Sequence, residues 1–326
     1  MVVSAALSSC LSNTGTAACL MPVVLGICAA AKIPASRQLM PLAYAAGIGG
    51  VITMVGTPPN IIVSGVLTSF GYESFSFFEF AWIGIPLTFV VIAYMMFIGK
   101  YLLPKAELDA NQEIEQEIEA TVTDSKKQIV SGLILAVCII VMALDLKAIS
   151  LEMTAIVGAL VCVLTGCLTE KQAYSAIDWV TIFLFAGMMP VSAAMDKTGA
   201  GKLIAEWAVS LMGGDPTPII MTSVLFIISC TLTQFMSNTA ACALLAPVGV
   251  AISQQLGASP KAVLMAIGVA ASCAFATPVG TPPCTLVLGP GGYKFMDYVK
   301  VGVPLVVLCF IVSIIVIPMV WPFFPG

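Results

Sequence analysis

Apolar runs separated by short charged clusters dominate the chain, and their length is that of membrane spans. Crossing about 30 Å of hydrocarbon takes roughly 17 to 25 apolar residues in a helix. Uncharged runs at 80–99, 128–144, 153–169, 179–195 and 301–326 each predict one such helix. Two further runs, Gln38 to Tyr72 and Pro216 to Lys261, are longer and carry Pro, Gly and Ser/Thr clusters. Neither can be one plain helix, because Pro removes a backbone donor and disfavours helix in the residue before it.

Composition points to the same class. Of 326 residues, 60% are apolar and 9% charged, with a mean hydropathy of +1.06, against about 25% charged in a soluble domain. An all-α polytopic membrane protein is expected. The net charge of −4 rests on few groups, and no Lys/Arg cluster resembles a nucleic-acid surface. Histidine is absent, which excludes a Ser-His-Asp triad, a Cys-His pair and His-based zinc sites. All 11 cysteines lie in apolar runs without a C-x-x-C spacing, and they read as small thiols packed between helices. No base stands near the polar clusters, so an enzyme is not expected.

Lys and Arg set the orientation. Along alternating spans, nine (Lys32, Arg37, Lys100, Lys105, Lys126, Lys127, Lys171, Lys294 and Lys300) fall on one side and four (Lys147, Lys197, Lys202 and Lys261) on the other. The richer side is cytoplasmic, which places the protein in the cell inner (plasma) membrane with its C-terminus outside. The hydrophilic stretch 104–127, with Glu113, Glu115, Glu117 and Glu119, reads as an acidic cytoplasmic linker. The apolar N-terminus lacks the basic n-region of a signal peptide and reads as mature structure.

An internal repeat is the most informative pattern. Ser12-Asn13-Thr14, followed by Ala18, Leu20, Pro22 and Val23, recurs as Ser237-Asn238-Thr239, followed by Ala243, Leu245, Pro247 and Val248. Gly56-Thr57-Pro58-Pro59 recurs as Gly280-Thr281-Pro282-Pro283, 44 residues after the first Ser in one copy and 43 in the other. Gly65 matches Gly289, and Gly84-x-Pro86-Leu87 matches Gly302-x-Pro304-Leu305. Counting the spans between the copies makes the second cross in the opposite sense to the first. Inverted repeats of this kind build secondary transporters whose sites lie at the repeat interface near the membrane midplane.

The repeated elements carry the candidate chemistry. Ser, Asn and Thr favour helix N-caps, so each triplet predicts the tip of a re-entrant hairpin, with a helix starting near Thr14 or Thr239. Such a start aims free N–H groups and a positive dipole end at an anion. The Gly-Thr-Pro-Pro segments predict breaks between two half-helices: Gln38–Val55 and Ile61–Phe70 in one copy, Lys261–Ala276 and Cys284–Gly289 in the other. Carbonyls freed at a break can coordinate a small hard cation such as Na⁺. Ser8 and Thr233 stand one turn before the triplets and add a hydroxyl to each tip. No Asp, Glu, Lys or Arg occurs in 1–31, 38–72, 216–260 or 262–293, so a carboxylate proton relay is excluded there. Gly47-x-Gly49-Gly50 reads as close helix packing, and Gly289-Pro290-Gly291-Gly292 as a turn.

At these residues the chain resembles the divalent anion/sodium symporter family, which transports dicarboxylates and sulfate. The resemblance rests on Ser12-Asn13-Thr14 with Gly56-Thr57-Pro58-Pro59-Asn60, and on Ser237-Asn238-Thr239 with Thr277-Pro278-Val279-Gly280-Thr281-Pro282-Pro283. It implies an elevator-type homodimer, in which a transport domain of two hairpins and two broken helices slides against a scaffold. One sodium site would comprise Ser8, Ser12, Asn13 and Gly56, and a second Thr233, Met236, Asn238 and Gly280. The substrate would be held by Asn13, Thr14, Asn238 and Thr239, with Thr57, Pro58, Thr281 and Pro282 nearby. Members of that family carry further helices before the first triplet, which here begins at residue 12, so this chain is expected to be a fragment, a misassigned start or a natural truncation. Cys284 departs from the pattern where the first copy has Asn60.

Together these readings divide the chain into a first transport repeat (1–103), the acidic linker (104–127), scaffold helices (128–215) and a second transport repeat (216–326). The expected function is Na⁺-coupled symport of a small dianion, C4-dicarboxylates foremost, by a protein whose partners are its substrate, membrane lipid and a second copy of itself. Sulfate or a tricarboxylate would use the same neutral hydroxyls. A truncated, non-transporting membrane subunit is the rival from another class. A sodium/proton or arsenite carrier would need a titratable carboxylate at a break, and these breaks have none.

Overall fold

A computed structural model describes residues 1–104, 125–144, 150–177, 179–211, 213 and 216–324. Lys105, Lys147 and the acids of the linker lie outside the described residues. Within them the chain is helical, and no strand occurs among the described residues. The fifteen helices used below are α1 (Val2–Ser8), α2 (Asn13–Ala31), α3 (Leu39–Gly49), α4 (Pro58–Ser69), α5 (Ala81–Leu102), α6 (Ser125–Ala143), α7 (Leu151–Leu164), α8 (Glu170–Ala176), α9 (Trp179–Thr198), α10 (Ala200–Leu211), α11 (Pro218–Thr233), α12 (Asn238–Leu256), α13 (Pro260–Ala271), α14 (Pro282–Leu288) and α15 (Phe295–Val320). Among them α2, α5, α6, α12 and α15 are long and apolar enough to cross a membrane.

The two repeats adopt the same arrangement. In each, a helical hairpin (α1–α2 or α11–α12) precedes a broken helix (α3–α4 or α13–α14), which is followed by a long helix (α5 or α15). Their packing is reciprocal. Each hairpin packs on the first half of its own broken helix, α1 and α2 on α3 and α11 and α12 on α13, and on the second half of the other one, α2 on α14 and α12 on α4. The half-helix α3 has 11 residues and α4 has 12, about 17 Å each at 1.5 Å per residue. A break between them therefore falls near the middle of a bilayer about 30 Å thick.

Hydrogen bonds gather the connecting segments at two opposite ends. At one end, Ser36 Oγ donates to Pro104 O at 2.9 Å, and Tyr293 OH donates to Ser36 O at 2.5 Å while accepting from Met40 N at 2.8 Å. At the other, Glu79 accepts from Trp321 Nε1 at 2.9 Å and pairs with Lys261 Nζ at 3.5 Å, and Gln254 Nε2 donates to Tyr72 OH at 3.3 Å. The outer end of the first hairpin (Lys32) belongs to the former and that of the second (Gly257) to the latter. This is the inverted relation that the span count predicts.

The first half-helices, α3 and α13, are apolar nearly all round because they are covered nearly all round. Every residue of α3 is buried, as is every residue of α13 from Ala262 to Ala271. Small residues permit this closeness. A Cβ at Gly49 would fall on the Ala5 backbone, in keeping with the close packing read from that glycine cluster. Gly84 and Gly302, matched in the repeat, play one role twice: a Cβ at Gly84 would stand 2.7 Å from Ile52 Cα, and one at Gly302 would stand 2.7 Å from Ala276 Cα. They let α5 and α15 press onto the two unwound segments.

Three features differ from the sequence expectation. The first halves end earlier than predicted, at Gly49 and Ala271, with a 3-10 turn at Gly50–Ile52. The second halves begin at Pro58 and Pro282 themselves, because Pro is well suited to the first helical position. The amphipathic helix α10, which packs on α12 and exposes Leu203 and Trp207, has no counterpart in the apolar-run pattern.

Gly302→Ala is expected to lower stability by about 1–3 kcal/mol through overpacking, whereas Gly26→Ala, where a Cβ meets nothing within 4 Å, should be neutral or stabilising. Thermal unfolding in detergent checks this pair.

Candidate substrate and ion site

Each hairpin turns at a serine that caps the second arm. Ser12 (φ −62°, ψ 145°) accepts from Gly15 N at 3.1 Å, and Ser237 (φ −62°, ψ 148°) accepts from Ala240 N at 3.2 Å. Both arms start one residue earlier than predicted, at Asn13 and Asn238. The Ser12 hydroxyl is thus engaged as a cap. The first N–H groups of each arm, at Asn13 and Thr14 and at Asn238 and Thr239, have no intrahelical partner by helix geometry.

Each tip is stitched to its own break. Thr53 Oγ1 donates to Ser9 O, and the matched Thr277 Oγ1 donates to Gln234 O at 2.6 Å. Ser4 Oγ reaches Leu42 O at 3.2 Å, and Ser229 Oγ reaches Ile267 O at 2.9 Å. The tip carbonyls of Ser9 and Gln234, which lie beyond the helix ends, need such partners at this depth, whereas Leu42 O and Ile267 O are helical and accept a further bond.

The Asn side chains then bring the predicted residues together. One end of the Asn13 carboxamide lies 2.8 Å from Ser8 Oγ, 3.1 Å from Ala46 O and 3.1 Å from Gly56 O. Asn238 repeats this with Thr233 Oγ1 at 2.8 Å, Gly280 O at 2.8 Å and Ala271 O at 3.2 Å. Ser8 Oγ also donates to Ala46 O at 2.6 Å, and Thr233 Oγ1 to Ala271 O at 2.8 Å. Amide N and O occupy equivalent places, so the carboxamide has two meaningful orientations. With NH₂ inward it donates to this oxygen cluster and closes it. With Oδ1 inward it adds one more oxygen to a set of carbonyls, which a small hard cation holds together. The other end of Asn13 is 3.4 Å from both Gly47 O and Thr57 Oγ1.

Ser8, Asn13 and Gly56 thus converge, as do Thr233, Asn238 and Gly280. Ser8 arrives there because α1 ends at it and the chain folds back, and not because the helix continues to Ser12. Met236 sits in the second tip, its N–H donating to Leu232 O at 3.1 Å. Thr57 and Thr281 cap α4 and α14 with nearly identical angles (φ −141° in both) and no side-chain cap bond. Their buried hydroxyls are turned elsewhere than to their helices. Thr14 and Pro282 are exposed and Thr239 and Pro58 half-exposed, whereas Ser8, Asn13, Thr233 and Asn238 are buried.

Three participants escaped the sequence reading. Ala46 and Ala271 contribute only carbonyls, from the last turns of α3 and α13, where four C=O groups lack helical partners. Gly50 leaves the room in which Asn13 lies, since a Cβ there would overlap the Asn13 carboxamide and the Gly56 carbonyl. The Cys284 departure is also accounted for. Asn60 Nδ2 holds the break carbonyls Val51 O at 3.3 Å and Thr53 O at 2.8 Å. In the second copy Phe275 O, matched to Val51 O, is held instead by Tyr44 OH at 2.7 Å, from the other repeat.

Comparison with known proteins places this doubled arrangement. The model of the citrate transporter family (CitMHS) matches residues 1–147 and 139–324. The chain belongs to that family. As a member of the citrate transporter family it is a multi-pass membrane transporter and not an enzyme. It is 33% identical to an uncharacterized transporter of Haemophilus influenzae, over 95% of this chain and 69% of that protein. It is 26% identical to the sodium-dependent dicarboxylate transporter SdcS of Staphylococcus aureus, over 100% of this chain and 69% of that protein. Among solved structures, the YdaH transporter of Alcanivorax borkumensis shares the fold, with a TM-score of 0.65 and 17% identity over 97% of this chain and 76% of that one.

Asn60→Ala is expected to cost about 1–3 kcal/mol, because it strands two buried carbonyls. Cys284→Ala should cost less, since Tyr44 holds the matched carbonyl; thermal midpoints of the two variants test the difference.

Proposed function

We propose that the chain is a sodium-coupled symporter of small divalent anions, with C4-dicarboxylates as the first substrates. The observation that carries this reading is the pair of matched oxygen clusters, one at each tip, each closed by an Asn carboxamide that can present either NH₂ or oxygen. Sodium would be bound by Ser8, Ser12, Asn13 and Gly56 in one site and by Thr233, Met236, Asn238 and Gly280 in the other. The anion would lie between the tips, on the free N–H groups and hydroxyls of Asn13, Thr14, Asn238 and Thr239, with Thr57, Pro58, Thr281 and Pro282 beside it. Two cations offset a dianion in a low-dielectric setting that supplies no charge of its own. The sodium-dependent dicarboxylate relative supports both the ion and the substrate class.

In this reading 1–103 and 216–326 form a transport domain, 128–215 a scaffold and 104–127 a cytoplasmic linker. The transport domain slides as a unit in an elevator-type homodimer embedded in lipid. The buried interlock of the two repeats suits such a unit. Lys32, Arg37, Lys100 and Lys294 at one end, against Lys261 with Glu73 and Glu79 at the other, favour a cytoplasmic first end in the plasma membrane and an external C-terminus. The family's name favours a second substrate reading, a tricarboxylate such as citrate; sulfate would use the same groups.

The test is uptake of labelled succinate into proteoliposomes with and without an inward Na⁺ gradient, with unlabelled citrate and sulfate as competitors. Gradient-driven uptake inhibited by dicarboxylates is expected. Uptake indifferent to Na⁺ overturns the coupling, and stronger inhibition by citrate or sulfate reassigns the substrate. Asn13→Ala and Asn238→Ala should each abolish Na⁺-driven uptake while leaving membrane insertion intact. Because no carboxylate lines the tips or breaks, the rate should follow the ionisation of the anion alone as pH varies.

A further inference from the structure

Ser9 and Gln234 are matched residues, each ending the first arm of its hairpin, and they behave differently. The Ser9 hydroxyl turns back to Ala6 O at 2.8 Å, within its own arm. Gln234, itself buried, crosses to the break: its Nε2 donates to Cys273 O at 3.2 Å and to Cys230 O at 3.0 Å, and its Oε1 accepts from Ala276 N at 3.0 Å. Cys273 and Ala276 lie in the unwound segment between α13 and α14. Gln234 thus satisfies both a donor and an acceptor released there, and it also holds the hairpin tip. In the first copy the corresponding brace, Asn60, comes from the half-helix after the break and makes no bond to the hairpin.

The second tip and second break are therefore one hydrogen-bonded unit through Gln234, whereas in the first copy Thr53 joins the break to Ser9 O and Asn13 Nδ2 stands 3.4 Å from Gly47 O and Thr57 Oγ1, with no residue reaching from Ser9's position into the unwound segment. Gly280, whose carbonyl belongs to the second oxygen cluster, lies four residues after Ala276, past Thr277, whose own hydroxyl donates to Gln234 O. A Cβ on Gly280 would stand 2.6 Å from Thr233 O and 2.9 Å from Ala274 Cβ, so the segment and the tip are in close contact at the cluster. We propose that Gln234 is the positioning residue of the second sodium site, holding Gly280 O against Thr233 and Asn238 so that this site is preformed before the ion arrives. The first site, whose break is braced by Asn60 and not from its own hairpin, completes its geometry on binding. This rests on the sodium reading given above and adds an order to it, in which the second site fills at the lower Na⁺ concentration.

The test titrates Na⁺ against the thermal midpoint of the purified full chain in detergent, at constant ionic strength with choline. Gln234→Met keeps the volume and removes all three bonds; it should raise the half-saturating Na⁺ concentration about tenfold, as expected for lost buried hydrogen bonds. Gln234→Glu keeps the acceptor for Ala276 N, should fall between Met and the parent, and serves if the Met variant does not fold. Ser9→Ala should leave the titration unchanged. A purely structural role would lower the sodium-free midpoint of Gln234→Met with no change in half-saturation, and that result overturns the proposal. If Asn238→Ala loses the Na⁺ response while both Gln234 variants keep the parental half-saturation, the positioning role alone fails. If the parent shows no Na⁺ response, the sodium reading fails with it.

Discussion

Peptide groups freed from helices in the middle of a membrane have no water to turn to, and the whole architecture answers that constraint. At each break the chain leaves α-helical geometry for several residues, from Gly50 to Thr57, with a 3-10 turn at its start, and from Ser272 to Thr281. Their carbonyls and N–H groups are met by side chains at a hairpin tip, at a following half-helix or in the opposite repeat. A hairpin without its break would bury an unsatisfied turn, and a break without its hairpin would bury unsatisfied non-helical backbone. The two motifs require one another, which explains why both are duplicated together.

Duplication conserves the geometry of the breaks more closely than their chemistry. Cap angles at Ser12 and Ser237, and at Thr57 and Thr281, agree to within a few degrees. The bracing does not. Asn60 supports one break from within its own helix, whereas Tyr44 and Gln234 support the other from across the molecule and from the tip. A carbonyl requires a donor but is indifferent to its source, so each copy has met one demand with different residues. The conserved part is the convergence of Ser8 or Thr233, Asn13 or Asn238, and a Gly carbonyl on one point.

No Asp, Glu, Lys or Arg occurs in the tips or the breaks. The candidate site there offers only neutral oxygens, amides and helix N-termini, which suits ions that arrive with their own compensating partners. The Glu79–Lys261–Trp321 cluster ties the segment before α5 to the start of α13 and the end of α15. It thereby links the two repeats at one end without placing charge near the tips.

Much of this was legible in the sequence, for a physical reason. Hydrocarbon thickness prescribes span length, and polar triplets or Pro pairs within such spans are so costly that their recurrence in register signals paired breaks. The all-α class and the inverted repeat followed from that reasoning, and the residues singled out there or through the family resemblance it led to include Ser8, Asn13 and Gly56, and Thr233, Asn238 and Gly280, which the structure brings together in two groups. What only the tertiary structure decided are contacts that carry no residue signature. The Ala46 and Ala271 carbonyls belong to the backbone, which any residue supplies. Gly50 matters through a Cβ it lacks, and Tyr44 and Gln234 act on segments 231 and 42 residues away. Periodicity reports which face is apolar; it cannot report which distant carbonyl a buried side chain will find once the helices have packed.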